Sequence, residues 1–166
     1  MTTTVTLMET STPALTDSRL ADIPYSVTRH GRVSSLEEAA ALRGVKPSAV
    51  IKTLVVRRYD DDFLMILVPG NRSISWPKLR KHLGVRRLSM PSPEEAQAAT
   101  GYVRGTITPF GSTHEWPVIA DKRISGIEIS IGGGAPGVSI TIDGDIAISV
   151  LDAEVADVTV PLRANE

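Results

Sequence analysis

The stretch Val50–Val56, VIKTLVV, leaves the chain few choices. It is rich in β-branched residues and holds neither Gly nor Pro, which makes it a strand. Side chains alternate across a strand, so Val50, Lys52, Leu54 and Val56 share one face and Ile51, Thr53 and Val55 the other. Both faces are largely apolar, and both are expected to be covered. Lys52 nevertheless stands in the middle of one. Burying an ammonium without a partner costs several kcal/mol. Lys52 therefore either reaches an edge, as an aggregation-blocking or snorkelling lysine, or serves a site.

The flanking sequence predicts how the strand is framed. Asp60–Asp62 is a polar turn, and Phe63–Val68 is an apolar run of buried-strand length, so the pair reads as a hairpin. Ser34 or Ser35 opens a helix with a Glu three residues on, and Gly44 ends it. Ser75 and Pro77 open a basic amphipathic helix that stops at Gly84. Ser92, Pro93 and Glu95 open another that stops at Gly101. Further strands are predicted at Tyr25–Thr28, Val85–Met90, Trp116–Ala120, Ile127–Ile131 and Val138–Ile142. A short helix fits Pro13–Asp22, with Leu15 and Leu20 inward, and a last one starts at Asp143 or Asp145 and runs to about Leu151. This mixture implies one α+β domain over residues 13–166, with a mixed, curved sheet and helices packed outside. Residues 1–12 form a loose tail, and the stretch after the last helix is polar.

The 166 residues suffice for one domain with a sizeable core. Without cysteine there can be no disulfide, thiolate nucleophile or cysteine–metal site. His30, His82 and His114 form no HExxH motif, so no metal is expected. No GxSxG elbow is present, and Gly132–Gly134 is followed by no Lys-Ser/Thr, which excludes a P-loop. No segment approaches the ~20 apolar residues of a membrane span, and the N-terminus lacks the pattern of a signal peptide. The formal net charge is −1, so contact with nucleic acid requires a local patch. Phe63–Pro93 supplies one: it has no acidic residue but carries Arg72, Lys78, Arg80, Lys81, Arg86 and Arg87. Such a stretch is either a solvated face or a phosphate-binding one. The loop Gly105-Thr106-Ile107-Thr108-Pro109 could turn its amides into a cavity and hold an anionic oxygen or a water.

Five segments in this order resemble the YbaK family of small aminoacyl-tRNA deacylases, related to the editing domain inserted in bacterial-type prolyl-tRNA synthetases. They are Glu37–Ala40 with Leu42 and Gly44; Val50–Val55; Thr100–Gly105 running into Thr108–Gly111; Ile129–Gly134; and Asp143–Ile146. The resemblance spans about Tyr25 to Val158. It implies a curved, partly barrel-like mixed sheet surrounded by helices, and hydrolysis of the ester joining a wrong amino acid to the 3′ adenosine of tRNA. Cys-tRNA(Pro) or Ala-tRNA(Pro) is the expected substrate, mischarged tRNA the partner with prolyl-tRNA synthetase as a further one, the cytoplasm the location, and no cofactor is needed. By the same resemblance Lys52 sits at the family's essential lysine and Gly105–Pro109 at its Gly-x-x-x-Pro loop. His30, Gly101, Gly132, Gly133, Gly134 and Asp145 are expected around the substrate, and the cations of Phe63–Pro93 along the tRNA. No side chain is an obvious general base, which points to help from the substrate's own ribose hydroxyl or side chain. Thr28 stands where cysteine-specific members carry Tyr, and Thr53 where alanine-editing members carry Asn, so the amino acid stays open. A non-catalytic tRNA- or synthetase-binding module of the same fold is the alternative, and a hydrolase of small aminoacyl esters a third reading.

Overall fold

The expected hairpin forms the centre of the molecule in a computed structural model that describes residues 11–163. In chain order the elements are β1 (Tyr25–Arg29), α1 (Leu36–Arg43), β2 (Ile51–Tyr59), β3 (Asp62–Pro69), β4 (Arg72–Ile74), α2 (Trp76–Leu83), α3 (Pro93–Thr100), β5 (Val118–Asp121), β6 (Glu128–Gly132), β7 (Val138–Asp143), α4 (Gly144–Val150), β8 (Glu154–Ala156) and β9 (Thr159–Pro161). One sheet runs β1-β7-β6, a second β2-β3-β5-β8, and β4 pairs with β9. The second is mixed: β2 and β3 are antiparallel, whereas β5 lies parallel to β3 and β8 parallel to β5. A single parallel bridge, Val50–Ser130, joins the two larger sheets. The α+β class with a mixed sheet is as the sequence predicts.

β3 is buried from Phe63 to Pro69 because it has strand neighbours on both sides and packed layers on both faces. Met65 and Leu67 meet Phe110, Ile129, Ile131 and Ile140 on one face. Leu64, Ile66 and Val68 meet Ile74, Leu79 of α2 and Val158 on the other. Helix ends follow the residues expected to make them. Ser35, Ser75 and Ser92 each accept a backbone N–H, Ser92 and Glu95 complete a capping box, and Gly44, Gly84 and Gly101 take the left-handed conformation.

Three expectations need correction. Pro13–Asp22 is two 3-10 turns, Ala14–Thr16 and Ser18–Leu20, because Asp17 between them is extended and its carboxylate takes the Arg19 N–H. Val85–Met90 is not a strand. Ser89 alone pairs, with Arg57, where the register of β2 shifts, and Arg86 and Arg87 point to solvent. The polar C-terminal stretch contains β8 and β9, each too short to show periodicity on its own. Of the expected tail, residues 1–10 lie outside the described residues; Thr12 is buried and its hydroxyl donates to the Gly133 carbonyl.

The C-terminal strands are tied down by charge. Asp157 accepts from Arg123 Nη1 at 3.0 Å and Lys78 Nζ at 3.1 Å, and Lys78 also donates to the Thr159 carbonyl at 3.1 Å. The hydrogen bond from Arg123, then that from Lys78, lowers the Asp157 carboxyl from 3.8 to about 2. A depressed carboxylate stabilises the fold above its unfolded value and loses that contribution as pH falls through its folded value. Asp157→Asn should therefore lower Tm at pH 7, and the gap to wild type should close between about pH 4 and pH 2. Thermal melts of both proteins across that range check it.

Candidate functional site

The Val50–Ser130 bridge also defines where the chain opens. β2 is the edge strand of its sheet, and beyond Val50 it runs on along Ile51–Val55 while β6 stops at Gly132. A cleft of about 690 Å³ occupies the gap. Its walls include Lys52 and Thr53 of β2, Arg43 of α1, Gly105 and Ile107 of the loop after α3, and Gly132. Arg104 and the segment around Met90 and Pro91 complete it, and none of its lining residues is acidic. The volume lies in the range of pockets that hold small organic ligands.

Alternation along β2 places Ile51, Thr53 and Val55 on the face toward the loop, where Ile107 packs on the clusters that hold Ile51 and Val55. Lys52 is on the opposite face with Leu54 and Val56. It still borders the cleft because β2 has a free edge at this point, and its Nζ donates to the Arg72 carbonyl at 2.6 Å. The Thr53 hydroxyl is buried in the wall with no hydrogen-bond partner among the described residues. Thr28, by contrast, lies inside the β1–β7 ladder opposite Ser139 and does not reach the cleft.

The loop Gly105–Pro109 alternates too. Gly105 and Ile107 line the cleft, whereas Thr106, Thr108 and Pro109 are buried behind it. Gly105 has φ +91°, and nothing lies within 4 Å of where its Cβ would stand. The position thus needs glycine for its backbone and leaves open space beside it. Gly132 sits against the same loop: a Cβ there would meet Ile107 O at 3.7 Å.

Two residues of the 3-10 segment secure the far end of the loop. Asp17 accepts the Gly111 N–H at 2.7 Å, and Arg19, paired with Asp17, donates to the Pro109 carbonyl at 3.1 Å. Tyr102 donates to the Phe110 carbonyl at 2.7 Å. Burial pushes the Asp17 carboxyl up, but the Arg19 guanidinium and the N–H groups of Arg19 and Gly111 outweigh it and hold it below its ordinary value. Asp17 and Arg19 carry no sequence signal of this role, because the contact joins segments about 90 residues apart.

The other expected site residues scatter. His30 lies behind the cleft: its Nδ1 meets the Gly31 carbonyl at 2.8 Å and its Nε2 meets Arg43 Nε at 3.4 Å. Gly101 caps α3, the Gly133 N–H pairs with the Val138 carbonyl, Gly134 packs near Tyr102, and Asp145 accepts from Ser125 Oγ and the Gly126 N–H; none of these lines the cleft. Of the basic span, Arg72 and Lys78 are bonded to Thr159. Lys81, Arg86 and Arg87 are exposed and Arg80 is half-buried. Among the described residues no group of acidic and histidine side chains is arranged to hold a metal, and no helix is long and apolar enough to cross a membrane.

Comparison with known proteins gives the chain its relatives. It is 26% identical over 126 residues to a candidate Cys-tRNA(Pro)/Cys-tRNA(Cys) deacylase, EbsC, of Enterococcus faecalis, covering 75% of this chain and 77% of that one. It is 35% identical over 104 residues to the proline–tRNA ligase of Heliobacterium modesticaldum, covering 62% of this chain but only 18% of the ligase. The fold matches the crystal structure of a candidate trans-editing enzyme for prolyl-tRNA synthetase with a TM-score of 0.75 at 24% identity, over 82% of this chain and 87% of that one.

Two outcomes test the loop's construction. Gly105→Ala should cost about 1–2 kcal/mol, because a left-handed backbone is imposed on a residue with a Cβ; denaturant unfolding measures it. Asp17→Asn should speed amide hydrogen exchange at Gly111 relative to the β2–β3 ladder, read by exchange mass spectrometry.

Residues 30–147, which include α1, the hairpin, the Gly105–Pro109 loop and Gly132, match the aminoacyl-tRNA editing domain, and the chain belongs to that family.

Proposed function

We propose that this hydrolase of the aminoacyl-tRNA editing family acts in trans in the cytoplasm, removing cysteine or alanine from mischarged tRNA for proline. The observation that carries the reading is the cleft itself, which brings Lys52, Gly105, Ile107 and Gly132 together with two arginines and no acidic residue. Such a lining suits an anionic, partly apolar ligand such as the aminoacylated 3′ end of a tRNA. The likeness to EbsC over most of both chains supports action apart from a ligase.

The ester of an amino acid with a protonated α-amine is already activated, so positioning and charge stabilisation suffice. Lys52 supplies positive charge to the terminal phosphate or to the developing oxyanion, and backbone N–H groups of the Gly105–Pro109 loop orient the carbonyl or the attacking water. As water adds to the carbonyl and the bond to the ribose 3′-oxygen breaks, the water's proton reaches that oxygen by relay through the neighbouring 2′-hydroxyl, or through the thiol when the amino acid is cysteine, since no carboxylate or imidazole lines the cleft. Thr53, with its hydroxyl in the wall, is the side chain placed to sense the small amino acid. Size alone discriminates weakly there, about 1–3 kcal/mol per methylene. Arg80, Lys81, Arg86 and Arg87 lie outside the cleft lining and are the proposed contacts for the body of the tRNA.

The decisive assay follows amino acid release from cysteinyl- and alanyl-tRNA for proline. Lys52→Ala should lower kcat/KM by about a hundredfold or more with a native melting profile. Unchanged turnover would make Lys52 structural, and no turnover by wild type on either substrate would favour the binding module. Charge reversal at Arg80 and Lys81 should weaken tRNA binding, with an effect that shrinks as salt is raised. Binding that does not respond would place the tRNA elsewhere.

A further inference from the structure

Arg43 is a cation whose partners do not account for it. It ends α1 and lines the cleft, where it is half-buried, and burial holds its guanidinium below the ordinary value. A guanidinium has five N–H donors. One, on Nε, meets His30 Nε2 at 3.4 Å. His30 can accept it because its Nδ1 faces the Gly31 carbonyl, which only accepts, so the proton sits on Nδ1 and Nε2 keeps its lone pair. Among the described residues no carboxylate pairs with Arg43 and no acceptor takes its Nη donors. The C-terminal end of α1 offsets part of the cost of burial. The rest is unmet, whereas the half-buried Arg19, Arg57, Arg58 and Arg123 each pair with a carboxylate and the half-buried Arg72 bonds Thr159. Arg104, on a different segment, lines the same cleft and is likewise in no ion pair among the described residues.

We infer that Arg43 is a phosphodiester-binding residue: its Nη groups face the phosphate on the 5′ side of the substrate's terminal adenosine, with His30 holding the guanidinium plane and Arg104 adding charge from the other segment. The planar fork of arginine suits a phosphate's paired oxygens. Dividing the work this way leaves Lys52 for the ester end of the cleft. The assignment rests on the deacylase reading for the identity of the ligand but is tested by binding alone.

The experiment compares cytidylyl-(3′→5′)-adenosine, which carries that phosphodiester, with adenosine, which does not. Calorimetry on the full-length protein should show the dinucleotide binding about tenfold more tightly, the size of one good charge-assisted contact. Arg43→Gln should bring the ratio of the two affinities close to one, and Arg43→Lys, which keeps the charge, should retain part of it. The lysine variant keeps the test informative should glutamine not fold, as judged by its melting curve. A wild-type ratio near one, or a ratio that survives Arg43→Gln, overturns the assignment. A wild type that hydrolyses no aminoacyl ester overturns the deacylase reading instead, and that failure appears in turnover, not in the affinity ratio.

Discussion

An interrupted sheet edge is the constraint on which the rest depends. β2 is paired along its length with β3 on one side. On the other it meets β6 at Val50–Ser130 and Ser89 at Arg57, and between those two bridges it is open. An unpaired edge normally invites another strand, and proteins cover or charge it. Here the cover comes from the Gly105–Pro109 loop and the Met90–Pro91 segment, neither of which pairs as a strand, so a cleft remains between cover and edge. The lysine that would otherwise be buried in β2 borders that cleft for the same reason. The edge thus solves the problem of Lys52 and creates the site in one stroke.

A cover that is not a strand must be held by other means. Ile107 is seated among Val55, Phe63, Ala96, Ala99 and Trp116. Trp116 is in turn fixed by edge-on contact with Phe63 and by its hydrogen bond to the Ala99 carbonyl at 2.8 Å. The Asp17–Arg19 pair then holds the Pro109 carbonyl and the Gly111 N–H. These anchors sit on three different parts of the chain, so the loop's shape is set by tertiary contact as well as by its own Gly105. Preorganised amides are useful to a hydrolase because they need not reorient as charge develops.

Charge is concentrated without disturbing a near-neutral total. The formal net charge is −1, yet Arg43, Lys52 and Arg104 line one cleft with no acid among them. Several cations elsewhere are matched: Arg123 and Lys78 share Asp157, Arg58 pairs with Asp62, and Arg19 with Asp17. Within the basic span the two kinds separate. Arg72 and Lys78 hold β9, while Lys81, Arg86 and Arg87 face solvent. A run of like charge in sequence is therefore partly a structural clamp and partly a surface.

How much of this was legible beforehand depended on the range of the interactions. The β2–β3 hairpin, the three serine-capped helices with their terminal glycines, and β6 and β7 are local patterns, readable from periodicity and capping. Lys52 stood out because a charge in an apolar strand is a local contradiction, and Gly105 because its loop was punctuated by glycine and proline. The 3-10 turns, β4, β8 and β9 were not legible, since three-residue pieces are defined by their partners. Nor was the role of Asp17 and Arg19, which act on atoms about 90 residues away. Gly101, Gly133 and Gly134 lie close in sequence to cleft residues, yet the fold turns them to a cap, a ladder and a packed turn, and Asp145 serves the Ser125–Gly126 turn. By itself the chain determined the α+β class, the hairpin and the placing of a lysine within an apolar strand, because those follow from short-range sterics and side-chain alternation. Only the tertiary structure decided that the site would be an open edge lined by Arg43 and Arg104. That outcome depends on where β6 stops relative to β2, a relation between distant segments that no local pattern encodes.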